Sequence, residues 1–65
     1  MLQPNEITSF TMPAEITSLE LAVAYRDFYK RKIARLPSTM PAKVKKAYAE
    51  RLRGAERLVM FHAEV

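Results

Sequence analysis

The sequence predicts an all-α fold: a two-helix antiparallel hairpin with an ordered N-terminal arm, completed by oligomerisation or by a partner. Three observations carry this. Apolar residues recur at three- and four-residue steps over 21–36 and again over 44–62. Between the two segments lies Pro37-Ser38-Thr39-Met40-Pro41, which stops one helix and starts another. The chain has 65 residues and no cysteine. A core of that size buries only about 60% of the unfolded surface, and neither a disulfide nor a thiolate zinc site supplements it.

The arm is expected over residues 1–16, and the hairpin over 17–65 with helices at about 18–36 and 40–62. Two of the four prolines, Pro4 and Pro13, interrupt any sustained periodicity in the arm. Ile7, Phe10, Met12 and Ile16 nevertheless give it apolar surface that a disordered tail would not usually carry. It is expected to dock on something, with a brief extended stretch near Glu6–Phe10.

Helix 1 has a start signal in Thr17 and Glu20, which fit a capping box, with Ile16 and Leu21 placed as a hydrophobic staple. Leu21, Ala22, Tyr25, Phe28, Tyr29, Ile33 and Leu36 then share one face, while Glu20, Asp27, Lys30 and Arg31 point away. Pro37 ends the helix, because the residue before a proline avoids helical geometry. In the connection, Ser38 or Thr39 serves as cap and Pro41 falls in the first turn, where no intrahelical donor is needed. Helix 2 carries Val44, Tyr48, Leu52, Ala55, Val59 and His62 at 4-4-3-4-3 spacing, a stripe suited to helix-on-helix packing. A connection this short returns the second helix antiparallel to the first.

Two short echoes run through the chain. Glu-Ile-Thr-Ser stands at 6–9 and 15–18, and Thr-Met-Pro-Ala at 11–14 and 39–42. They fade after four residues, too soon for a solenoid repeat. The second echo fits a shared need for a capped helix start, and it leaves open a first helix beginning near Met12. Gly54 is the weak point of helix 2, costing about 1 kcal/mol relative to alanine. If it ended the helix, Leu58–Val65 could form a strand. Ala55-Glu56-Arg57-Leu58 and the stripe position of Val59 favour a continuous helix.

The composition excludes several functions. No run approaches the roughly 20 apolar residues of a membrane span. Leu19–Ala24 is short and carries Glu20, so no secretion signal is read there. One histidine, no cysteine and one glycine leave no phosphate-cradling loop, no metal-ligand set and no nucleophile–base pair. His62 is read as a packed histidine near a helix end, and Ser18 and Ser38 as helix-start residues. No enzymatic activity, metal or cofactor is expected, and the expected setting is the cytoplasm.

Charge is more informative. Residues 26–57 hold all eleven basic side chains against three acids, a net +8, and the remainder holds four acids, −4. Lys30, Arg31, Lys32 and Arg35 complement the C-terminal dipole of helix 1 by about 0.3–1 kcal/mol each, and Asp27 supports Arg31 as an acid-first i,i+4 pair. Lys43, Lys45 and Lys46 break that rule. They stand in the first turns of helix 2, where acids are preferred. Such a violation without visible gain points to function, and helix N–H groups with lysines favour an anion. Lys30, Arg31, Arg35, Lys43, Lys45 and Lys46 are therefore the candidate partner- or phosphate-binding residues at the closed end of the hairpin.

Leu19, Val23, Met60 and Phe61 lie off the seam near the open end, where the arm or another chain must cover them. A homodimer burying that end would leave the basic end free. The leading expectation is a small interaction or regulatory protein, of adaptor or inhibitor type, gripping an acidic protein partner. The alternatives are a nucleic-acid-backbone binder with little base discrimination, since no third helix completes a reader, and a structural subunit of a larger assembly. Tyr25, Phe28 and Tyr29 are read as core and not as a base-stacking platform.

Overall fold

A computed structural model describes residues 2–64. The described residues form two α-helices, α1 (Leu19–Ala34) and α2 (Ala42–Glu64), packed side by side as a hairpin, with no strand. Two single turns of 3-10 helix, Pro4–Glu6 and Pro13–Glu15, shape the arm. The stretch near Glu6–Phe10 is extended only around Ile7, since Glu6 closes the first 3-10 turn and Ser9 and Phe10 form a further turn.

Those turns are a nine-residue repeat in the order Pro-x-Glu-Ile-Thr-Ser, of which the Glu-Ile-Thr-Ser echo is the visible part. In each, proline sits at the first position, where its fixed φ suits a helical turn and its missing N–H is not needed. The glutamate folds back to accept a backbone N–H: Gln3 donates to Glu6 Oε1 at 3.0 Å and Met12 to Glu15 Oε2 at 2.7 Å. The following isoleucine drops into the core, Ile7 in one copy and Ile16 in the other. Between them, Thr8 donates its N–H to Thr11 Oγ1 and accepts from Phe10 N–H, so the buried Thr11 is satisfied. Thr-Met-Pro-Ala likewise opens a helical turn at both of its positions, the second 3-10 turn and α2.

Helix α1 starts one residue later than the capping-box reading placed it. Ser18 is the cap, its Oγ accepting from Leu21 N–H at 3.2 Å, and Glu20 is not a cap partner. The helix ends at Ala34 with Arg35 as its C-cap, two residues short of Leu36, and a turn from Pro37 to Met40 follows. Neither Ser38 nor Thr39 caps α2 with its side chain. Pro41 takes that place, its carbonyl accepting from Val44 and Lys45 N–H. Helix α2 continues through Gly54, which has an ordinary negative φ, to Glu64.

Tyr25, Tyr29, Leu21 and Ala22 of α1 pack with Ala55 of α2 and with Ile7 and Ile16 of the arm. Tyr29 is the hub of the aromatic cluster: Tyr25 and Phe28 meet its ring edge-on, each at 5.2 Å between centroids, and Tyr48 lies at 6.2 Å. Val44, Tyr48, Leu52, Val59 and His62 are half-buried along the α2 stripe. With about 1.5 Å rise per residue, the 23-residue α2 outruns the 16-residue α1 by roughly 10 Å. The short connection fixes the helices together at one end, so the overhang lies at the open end. The molecule is accordingly long, 39 × 22 × 16 Å.

Candidate functional site: a basic concavity at the closed end

At the closed end, Arg31, Lys32 and Arg35 rim a concavity of about 370 Å³ whose apolar lining comes from Phe28, Leu36, Met40 and Tyr48. Local helix geometry explains the trio. Residues 28, 31, 32 and 35 are spaced three and four apart, so they stand over one another on one flank of α1. Leu36 and Met40 come from the connection, held there by the Pro37–Met40 turn, and Tyr48 reaches in from the second turn of α2. The Lys32 ammonium lies 5.8 Å from the Phe28 ring centroid, a cation–π distance that draws the charge toward the apolar lining.

No acid neutralises this rim. Among the described residues the ion pair is Arg26–Asp27, with Nη2 and Nε both about 3 Å from Asp27 Oδ1. Asp27 thus pairs with its neighbour instead of with Arg31 four residues on. Both members are partly exposed, and such pairs contribute little to stability. Arg31 and Phe28 also border a second concavity of about 380 Å³, where Pro4, Asn5 and Ile7 of the arm face Val23 and Ala24. The arm therefore runs back along the hairpin from the start of α1 to the level of Arg31.

Of the residues singled out from the sequence, Arg31 and Arg35 meet at this site and Lys32 joins them. Lys30 is exposed but lies on the opposite flank of α1. Lys43 and Lys46 are exposed three residues apart on one flank of α2 and do not line the concavity. Lys45 serves the fold instead, because its Nζ donates to the Ser38 carbonyl at 3.3 Å and ties the connection to the first turns of α2. That bond supplies part of the gain that the misplaced lysines lacked in the sequence. The apolar lining of the site was missed. Its only advance signal was that Leu36 and Met40 flank the connection, directly beside the basic run.

At the open end, Leu19, Met60 and Phe61 are exposed at 43%, 62% and 62%, so the arm does not cover them. Val23 differs, being half-buried beside the first 3-10 turn. No helix among the described residues is long and apolar enough to cross a membrane.

Along α2, a groove of about 730 Å³ separates the arm from the helix, bounded by Pro13, by Tyr25 of α1 and by the α2 face from Ala47 to Phe61. Burial raises the Tyr25 phenol above its usual value near 10, the neighbouring Tyr29 adds to this, and the Arg51 guanidinium opposes both. No family model, curated protein or solved structure matches the chain. The guide to its function is therefore its own geometry.

Proposed function

We propose that the protein is a small non-enzymatic interaction module, of adaptor or inhibitor type, that grips an acidic protein segment at the closed end of its hairpin. One observation carries the reading: three cations without acidic partners surround a concavity lined by Phe28, Leu36, Met40 and Tyr48. Its apolar lining can receive an apolar side chain, with flanking carboxylates reaching Arg31, Lys32 and Arg35. Arginine suits this role because its planar fork meets a carboxylate through two parallel N–H bonds. Lys30, Lys43 and Lys46 widen the positive field and speed encounter, an effect that salt weakens. The exposed apolar residues at the open end fit a chain that works in company, in the cytoplasm, as an oligomer or as part of a complex.

The apolar lining favours protein over nucleic acid, because a phosphate backbone offers nothing to fill it. A nucleic-acid binder would instead be a phosphate gripper with little base discrimination. Titrations at two salt concentrations separate the readings. The probes are an acidic peptide with one central leucine, the same peptide with serine there, duplex DNA and RNA. The leucine peptide is expected to bind best, and an Arg31→Glu/Lys32→Glu/Arg35→Glu variant to bind it at least about tenfold more weakly, since like charges then face each other. Tighter binding of DNA or RNA with a steep salt slope would replace this reading by the nucleic-acid one. Equal binding of the two peptides would show that the concavity takes no side chain.

A further inference from the structure

Helix α2 carries a second stripe that the hairpin does not use. Ala47, Arg51, Gly54, Leu58 and Phe61 are spaced 4-3-4-3, the repeat of about 3.5 residues that marks a seam between paired helices. The stripe lies beside the one packed on α1 and faces the 730 Å³ groove, which nothing in the described chain fills. A Cβ built on Gly54 would meet no atom within 4 Å. Phe61 and, next to Pro13, Met12 are exposed at its margins, each at 62%.

We infer that this seam is a self-association surface, occupied by α2 of a second copy running antiparallel. The charges choose that occupant. Glu50 and Arg57 border the groove one heptad apart on the same edge of the seam. Within one chain they are separated by about 10 Å of helix and cannot meet. In an antiparallel copy each faces the other, twice, through the two-fold axis. The same alignment sets Arg51 against Gly54 and Leu58 against Ala47 of the second copy, so these two large side chains each meet a small one. A two-fold interface requires such self-complementarity of one patch. A dimer interface of ordinary size takes about 800 Å² per partner, close to a sixth of this chain's 4987 Å² surface.

Sedimentation equilibrium of the full chain, with helicity followed by circular dichroism, tests the inference. Wild type is expected to dimerise at micromolar concentrations. Glu50→Arg and Arg57→Glu each turn two attractive pairs into two repulsive ones, and each is expected to weaken the dimer on the order of 100-fold. Both sites are exposed, so helicity should persist. An equimolar mixture of the two variants restores both pairs and should dimerise again. A monomeric wild type up to millimolar concentration would overturn the inference. So would single variants that associate like wild type, which would move assembly to Leu19 and Met60, or a mixture as weak as its components. Acidic-peptide binding at the closed end should be the same in all four samples, which keeps failure of the seam distinct from failure of the proposed function.

Discussion

The Tyr29 hydroxyl is buried and has no hydrogen-bond partner, although its ring is the hub of the core. Burying an unsatisfied hydroxyl costs about 1–3 kcal/mol. Tyr29→Phe should therefore leave stability unchanged or raise it by about 1 kcal/mol, as urea denaturation would show; a loss of more than about 1 kcal/mol would mean that the hydroxyl is bonded. Tyr25 gives a pH signature. Its phenol is raised by burial first, so the folded state holds its proton more tightly than the unfolded chain does. Its contribution is complete below the unfolded value near 10 and is lost as the pH rises through the higher folded value. Tyr25→Phe should flatten the alkaline loss of helicity relative to wild type; an unchanged profile would assign that loss to other groups. Both tyrosines were legible as core because they sit on the 21–36 stripe. The missing bond of Tyr29 was not, since a hydroxyl's partner is set by tertiary geometry and leaves no periodicity.

Helix α2 and the arm differ in how far local signals reached. Gly54 offered a possible helix end, and the surrounding good helix formers outweigh it, so α2 runs on to Glu64. Gly54→Ala should stabilise the fold by about 0.5–1 kcal/mol through helix propensity alone, because the space at its Cβ is open. The midpoint of urea denaturation, taken at concentrations where the chain is monomeric, reports this; destabilisation would mean that the groove is closed in solution. The arm was expected to be ordered, and it supplies Ile7 and Ile16 to the core. Its shape escaped because a single 3-10 turn is too short to have a period. Only the repeated Pro-x-Glu-Ile pattern could have revealed it, through a proline that sets φ and a glutamate that returns to the backbone. The caps moved for a similar reason. Thr17, Ser18 and Ser38 are chemically eligible, and the chain's entry angle decides which of them is used.

For the whole molecule, net charge and length set the outline and geometry supplied the detail. The central +8 segment marked the closed end as the charged one. Folding then divides its cations by role: Arg31, Lys32 and Arg35 rim a concavity, while Lys45 holds the connection. No sequence pattern separates those roles, because they depend on which residues of the connection and of α2 lie opposite. The second seam on α2 was present in the sequence as a 4-3-4-3 spacing, hidden by an arginine and a glycine among its apolar positions. Two surfaces result, a basic one at the closed end and a self-complementary one along the helix, on a chain whose core is small. The proposed binding of an acidic segment with one apolar side chain at the closed end can be tested residue by residue. Amide chemical shifts, followed while the leucine-centred acidic peptide is added to labelled protein, locate the contact. Shifts should concentrate at Phe28, Arg31, Lys32, Arg35, Leu36, Met40 and Tyr48, with the 54–61 stretch of α2 unmoved. Shifts spread evenly over the basic surface, or centred on Gly54 and Phe61, would refute binding at the concavity.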